Sequence, residues 1–252
     1  MVSEPRPSTS IDSLGARTFA VVAMAASGLV TLAAVRPLLA ILGPPRPGAT
    51  GGLGDATFDL ALVLVFGLQH SLQARATWKN LWIARFPAHT ERIGYVLGSC
   101  LAFALVVIAW RPLGGTWWQV DDVAGAAIDA LGLAGWALAL WATLAMSAPD
   151  ITGLSALREI LLGRPFAPPT FRAPGPYRWV RHPIMLGLIV GFFGAATMSA
   201  DRGLFAASMS LYVVIGILCE ERGLGEELGD DYRRYRREVP MLLPWPRPSG
   251  KR

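Results

Sequence analysis

Charged residues are scarce in this sequence. Only 16% of its 252 residues are Asp, Glu, Lys or Arg, whereas 53% are hydrophobic. A soluble domain carries roughly a quarter of charged residues. The composition therefore excludes an ordinary soluble globular domain and indicates an integral membrane protein.

Cysteine and the common nucleotide-binding motifs are also rare or missing. Cys100 and Cys219 each lie within or at the end of an apolar run, so they form neither a disulfide framework nor a zinc-ligand spacing. The sequence contains no Walker loop, and no glycine-rich dinucleotide motif follows a strand, since no segment is convincing as a strand. We therefore expect an all-α protein without a metal site.

A concentrated basic region is missing as well, although the net charge is +5. The Lys and Arg residues fall between apolar runs rather than on one patch of a soluble fold. This distribution favours anionic lipid headgroups as the partner and argues against nucleic acid.

Long apolar runs dominate what is present. Runs of 17 or more residues suffice to cross a bilayer as helices, and we predict six such spans: residues 18–35, 53–74, 93–110, 123–146, 184–200 and 203–219. Residues 75–92 and about 221–238 have the charged, amphipathic pattern of surface helices, and 151–162 resembles a short one. The expected architecture is a polytopic helical membrane protein.

The basic residues also predict an orientation. If both termini are cytoplasmic, the inner segments hold 19 of the 23 Lys and Arg residues, and the outer loops keep four: Arg36, Arg46, Arg111 and Arg202. Such an excess on the cytoplasmic side is the signature of a membrane protein in that orientation. It places residues 181–183 and 220–221 at the cytosolic face.

The last two apolar runs predict a helical hairpin, because only Asp201 and Arg202 separate them. A hairpin returns the chain to the membrane face that it left, so His182 and Glu220 should be neighbours. A carboxylate there could bind an ammonium group. The simpler interpretation is that Arg181 and His182 are interfacial anchors and that Glu220 and Glu221 only begin a surface helix.

The C-terminal motifs carry a family resemblance. The strings GPYRWVRHPIMLG at 175–187, EERGL at 220–224 and VPMLLPW at 239–245 resemble the isoprenylcysteine carboxyl methyltransferase superfamily. The resemblance implies a helical membrane fold that binds S-adenosylmethionine at the cytosolic face, within residues 147–252. It assigns to the cofactor pocket the residues Tyr177, His182, Pro183, Ile184, Met185, Glu220 and Glu221. More loosely, it adds the preceding loop residues Thr170, Phe171 and Arg172.

The N-terminal part, predicted as a four-helix membrane region over residues 1–146, narrows the resemblance. FGLQHSLQARATWKNLW at 66–82 is similar to the bacterial branch that contains methanethiol S-methyltransferases and NnrU-like proteins, with Gln69, His70 and Ser71 in its recurring string. A hydrogen-bonded polar pair closing a helix end is the alternative for Gln69 and His70. Two features depart from the family pattern: Met185 replaces a usual Tyr, and residues 147–154 lack the usual Asn and His.

The resemblance implies a membrane enzyme, located in the bacterial inner membrane, that methylates a small or lipophilic thiol. His182 or His70 would then take the thiol proton, since a thiol needs only modest activation. A prenylcysteine carboxylate or a lipid amine remains an alternative acceptor. A reductase of the sterol-reductase type, using NADPH, and a non-catalytic membrane protein are the alternatives of a different class.

Overall fold

The computed structural model describes residues 14–146, 152–164, 172–227 and 229–244. The helices are α1 (Leu14–Leu42), α2 (Leu53–Gln73), α3 (Ala76–Ile83), α4 (Glu91–Ala109), α5 (Asp122–Ala145), α6 (Leu154–Leu162), α7 (Pro183–Phe193), α8 (Ala200–Glu227) and α9 (Gly229–Glu238). Short 3-10 turns cover Ala88–Thr90 and Gly175–Arg178, and the described residues also form two short strands, β1 (Thr116–Gln119) and β2 (Thr197–Ser199).

Four of the described helical stretches are long and apolar enough to cross a membrane: Leu14–Leu42, Ala88–Ala109, Asp122–Ala145 and Ala200–Glu221. A polytopic, mainly helical membrane protein is therefore confirmed. The predicted count of six spans is not confirmed, because neither α2, with 21 residues, nor the 11-residue α7 is among these four stretches.

The hairpin is asymmetric, which the sequence did not suggest. Helix α7 has 11 residues, or about 16 Å at 1.5 Å per residue, roughly half of the hydrocarbon core. The chain then forms β2, which pairs antiparallel with β1. The predictions of one helix over 184–200 and of a chain without strands were therefore wrong.

Arg202 explains why α7 ends early. Its guanidinium donates hydrogen bonds to the carbonyls of Gly191 (2.8 Å), Phe192 (2.9 Å) and Gly194 (3.0 Å), and also to that of Leu42 at the end of α1 (2.8 Å). The last carbonyls of a helix need such partners, because no further turn supplies them. The Arg202 side chain thus caps the C-terminal ends of both α1 and α7, on the membrane face opposite to the predicted site.

Other helix boundaries also differ from those predicted from the sequence. Helix α1 continues through Arg36 and Pro37, where we expected a stop. The predicted surface helix over 75–92 is divided into α3, a 3-10 turn and the start of α4. Helix α8 extends to Glu227, so Glu220 and Glu221 lie inside a long helix and do not begin a separate one.

Glycines allow α5 and α7 to pack in close contact. A Cβ atom at Gly135 would lie 2.6 Å from the backbone nitrogen of Gly191, and one at Gly187 would lie 2.6 Å from that of Ala139. Small residues at such contacts are typical of helix association in membranes, where close backbone approach supplies the packing energy. This contact fixes α7, and with it the first turn of the predicted site.

Candidate functional site

The site begins at the turn that leads into α7. Pro183 is the first residue of the helix, a position that tolerates proline because its missing N–H would have had no helical partner. The preceding His182 has φ −123° and ψ 63°, outside the helical region, as expected for a residue before proline. The backbone N–H groups of Arg181 and His182 donate to the carbonyls of Pro240 (2.9 Å) and Met241 (3.1 Å). The C-terminal segment therefore holds this turn from outside.

A buried ion pair joins the turn to α8 and α9. Arg181 binds Glu221 with Nε–Oε1 at 2.7 Å and Nη2–Oε2 at 2.8 Å, and both side chains are 5% exposed. Its Nη1 donates to the carbonyls of Arg236 (3.0 Å) and Val239 (2.6 Å). Glu221 also accepts the Tyr232 hydroxyl at 2.9 Å and lies 3.2 Å from Nε of Arg236. Paired hydrogen bonds of this kind combine charge with fixed geometry.

His182 lies between two carboxylates. Its Nε2 is 2.9 Å from Oε1 of Glu221, and its Nδ1 is 3.9 Å from Oε2 of Glu220. An ionised carboxylate can only accept a hydrogen bond, so Nε2 carries a proton. The longer distance to Glu220 exceeds a hydrogen bond. The predicted approach of His182 and Glu220 is confirmed.

The two adjacent glutamates have opposite surroundings. The side chain of Glu221 is 5% exposed, whereas that of Glu220 is 49% exposed. Within the described segments, the charged partner of Glu220 within 4 Å is His182. The carboxylate of Glu220 also lies within electrostatic range of the hydroxyls of Tyr177 and Tyr95. Glu220 therefore offers a negative charge to the space between these side chains.

Three tyrosines near the ion pair remain protonated at neutral pH. Burial, aided by the charge of Glu220, raises the pKa of Tyr177 to about 12. Burial and the hydrogen bond to Glu221 raise the pKa of Tyr232. Burial likewise raises the pKa of Tyr235, whose hydroxyl donates to the carbonyl of Tyr177 at 2.6 Å. Tyr232 and Tyr235 thus act as neutral donors, and the bond from Tyr235 ties the 3-10 turn to α9.

The structure describes four of the other predicted cofactor residues: Arg172, Pro183, Ile184 and Met185. Pro183 is buried in the first turn of α7, and Ile184 and Met185 are half-buried beside it. Arg172 is exposed. Thr170 and Phe171 lie outside the described residues, as do positions 147–151 of the segment that departs from the family pattern.

His70 belongs to a second polar group, on α2 and α4. Its Nδ1 lies 3.0 Å from Oγ of Ser99, and its Nε2 lies 2.7 Å from the hydroxyl of Tyr95. Gln69, its predicted companion, instead donates to Gln73. Tyr95 and Ser99 were not predicted, although their spacing of four residues places both on one face of α4. Tyr95, which is bound to His70, is also in electrostatic range of Glu220. The polar group around His70 therefore lies near the polar group around His182 and Glu220.

Curated relatives match most of the chain. It is 41% identical to the methanethiol S-methyltransferase of Mycobacterium tuberculosis over 189 residues. These residues cover 75% of this chain and 78% of the relative. It is 38% identical over 190 residues to methanethiol S-methyltransferase 1 of Bradyrhizobium diazoefficiens, covering 75% and 67%. Nurim of Bos taurus is 29% identical over 204 residues, covering 73% and 78%. No family model and no solved structure matches the chain.

These relatives agree with the resemblance that the motifs carry. The identity extends over about three quarters of the chain, so it includes membrane helices as well as a motif. The chain belongs to the methanethiol S-methyltransferase family, within the isoprenylcysteine carboxyl methyltransferase superfamily.

Proposed function

We propose that this protein is an integral membrane methyltransferase that transfers a methyl group from S-adenosylmethionine to a small thiol such as methanethiol. The family relationship supports the reaction class, and four helices that are long and apolar enough to cross a membrane support the membrane location. The observation that assigns the proposal to a site is the contrast between the two glutamates: the carboxylate of Glu220 is half exposed and 3.9 Å from His182, whereas Glu221 is buried and fully paired.

The donor would bind beside that carboxylate. When bound, S-adenosylmethionine supplies a methyl group on a positively charged sulfur, and its methionine end adds an ammonium group. A half-exposed carboxylate close to the apolar first turn of α7 suits such a cation, because it gains a charge partner there. We assign the ammonium contact to Glu220. The lining would come from Tyr177, His182, Pro183, Ile184 and Met185, with Thr170, Phe171 and Arg172 in the preceding loop.

Glu221 has a different proposed role from the one suggested by the motif. Both of its oxygens already accept from protein groups: Arg181, Tyr232 and His182. We therefore assign it to positioning. It fixes His182 and the turn before α7 so that Glu220 and the lining residues keep their places.

The acceptor needs little activation. A thiol is a strong nucleophile compared with a hydroxyl at neutral pH, and main-chain and side-chain packing would hold it at attacking distance. His182 presents Nδ1 toward Glu220, since Nε2 is bound to Glu221. His182 and His70 are the two candidates to receive the thiol proton.

The orientation follows from the charge distribution. With both termini cytoplasmic, the Glu220 region faces the cytosol of a bacterial cell, from which a water-soluble donor arrives. A cysteine placed at Ser249 should resist a membrane-impermeant thiol reagent added to intact cells and should react after lysis. Labelling in intact cells would contradict this orientation.

Binding and turnover of the purified protein test the function. We expect saturable binding of S-adenosylhomocysteine in nanodiscs, and dimethyl sulfide formation from methanethiol that depends on S-adenosylmethionine. NADPH binding is measured in the same nanodiscs, because a reductase would bind NADPH. Saturable NADPH binding without S-adenosylhomocysteine binding would overturn the proposal in favour of the reductase.

A further inference from the structure

A cavity of about 330 Å³ lies between α1, α2 and α4, away from Glu221 and α9. Its walls are mostly aliphatic and aromatic. Polar atoms enter it at two places, from the pair Thr31–Cys100 and from the pair His70–Ser99. The residues that matter for the argument are Thr31, Val35, Phe66, His70, Ser99 and Cys100.

The cavity opens toward the lipid. Val35 is 45% exposed and Thr31 is exposed on the outer side of α1, whereas Phe66 at the back is 7% exposed. Both α1 and α4 are long and apolar enough to span the bilayer. The exposed side of such a helix faces hydrocarbon, so an apolar small molecule dissolved in the bilayer reaches the opening directly.

The inner end of the cavity is polar. Ser99 and His70 both line it and are hydrogen-bonded to each other, with Oγ 3.0 Å from Nδ1. The other ring nitrogen of His70 is bound to Tyr95 at 2.7 Å. Tyr95 is within electrostatic range of Glu220. A molecule in the cavity therefore meets a hydroxyl that is backed by an imidazole, and that imidazole is bound in turn to Tyr95.

We propose that this cavity binds the thiol acceptor, which enters from the bilayer, and that Ser99 passes the thiol proton to His70. The inference rests on the proposed function. The acceptor sulfur attacks the methyl carbon of the donor, and the bond from that carbon to the donor sulfur breaks with its electron pair. The thiol proton moves to Oγ of Ser99 while the hydroxyl proton moves to Nδ1 of His70, which later releases it to solvent.

The dimensions set the class of acceptor. Pockets for small molecules range from about 300 to 1,000 Å³, so this cavity is at the lower end. Phe66 and Phe103 form a rigid aromatic wall, with ring centroids 5.6 Å apart. Short alkyl thiols fit this shape, and the rate should fall as the chain grows from methanethiol to hexanethiol.

A matched pair of substitutions on α1 tests the location. Val35→Trp fills the opening, whereas Leu32→Trp, one turn away and 68% exposed, adds the same side chain outside the cavity. We expect Val35→Trp to raise KM for methanethiol about tenfold or more, which corresponds to at least about 1.4 kcal/mol. The affinity for S-adenosylhomocysteine should stay unchanged in both variants. Equal KM values in the two variants would overturn the location.

Cysteine modification provides a readout independent of turnover. In a Cys219→Ser background, Cys100 in the cavity wall is the cysteine left in the chain. Its modification by methyl methanethiosulfonate, followed by intact mass, should slow severalfold in Val35→Trp and stay unchanged in Leu32→Trp. If the wild-type protein fails to bind S-adenosylhomocysteine, the proposed function fails, yet this experiment still decides whether the cavity admits a small apolar sulfur compound. An unchanged rate in Val35→Trp would contradict the cavity assignment.

The pH profile of Ser99→Ala tests the proton route. The titratable or charged groups facing His70 are Arg92 and Tyr95 from α4 and Tyr212 from α8. Without the hydroxyl, kcat should fall about tenfold at neutral pH and recover as the pH approaches the pKa of the thiol, because the thiolate needs no base. KM should change little. A uniform loss at every pH would indicate a structural role for Ser99 and overturn this part of the proposal.

Discussion

Each end of the α7–α8 pair contains an arginine that holds the chain together, but the two arginines are satisfied differently. At the outer end, Arg202 donates to four backbone carbonyls, on α1, α7 and the residue after α7. At the inner end, Arg181 donates to two carbonyls and to the carboxylate of Glu221.

At the outer end, the polar side chains are therefore fully occupied by hydrogen bonds that hold the helices together. Neighbouring Asp201 does the same, since its Oδ1 accepts from the Trp110 indole and from the Leu113 backbone, both at 2.9 Å. At the inner end, Glu221 is occupied in the same way, but Glu220 remains half exposed and lies beside His182. The comparison separates groups that hold the fold from groups that remain available to a ligand.

Removing the charge of Glu221 should have the largest effect of these substitutions on stability. In Glu221→Gln, Arg181 stays buried without its anion, which costs about 3–5 kcal/mol of the free energy of unfolding. Denaturation with SDS in mixed micelles measures this loss. Glu238→Gln, an exposed change on α9, is the control. Equal stability of the two variants would show that the ion pair does not hold the inner end.

Removing the charge of Glu220 should affect binding and leave stability intact. A hydrogen bond to a charged group contributes about 1.5–3 kcal/mol, so Glu220→Gln should weaken S-adenosylhomocysteine binding about ten- to a hundredfold. Calorimetric titration of protein in nanodiscs measures the affinity, and the SDS midpoint should match that of the wild type. If affinity stays unchanged while stability falls, Glu220 belongs with the structural groups of the comparison.

Substitution at the outer end should give the reverse pattern. Arg202→Met leaves carbonyls at the ends of α1 and α7 without their donor, at about 1–3 kcal/mol for a buried acceptor that loses its partner. Affinity for S-adenosylhomocysteine should not change in the folded protein. Arg111→Met provides the control, because Arg111 is 50% exposed and its pair with Asp55 is at the surface. A loss of ligand affinity in Arg202→Met would show that the two ends are coupled.

The smallest expected effect is at Tyr235. Tyr235→Phe removes one neutral donor to the carbonyl of Tyr177, which contributes about 0.5–1.5 kcal/mol to stability. Ligand affinity should fall by less than in Glu220→Gln, because the ring still packs against the turn. A larger loss of affinity than in Glu220→Gln would move the main ligand contact from the glutamate to the tyrosine turn.

Much of the candidate site could be predicted because its residues are close to their motifs in sequence. His182 precedes a proline, and Glu220 follows a long apolar run, so their approach required only that the two runs form a hairpin. The contrast between Glu220 and Glu221 could not be predicted. It depends on which face of α8 meets Arg181 and Tyr232, and those residues are 40 and 11 positions away from Glu221.

The sequence by itself determined the membrane class, the family and the pairing of His182 with Glu220, because composition, motif strings and apolar runs are local properties. Only the tertiary structure decided where α7 ends, since its length depends on Arg202 reaching back to the carbonyls of Gly191 and Phe192. It also decided that Ser99 and Tyr95 flank His70 at the end of an apolar cavity. Contacts between helices distant in sequence set both features, and no local pattern encodes which side chains will meet there.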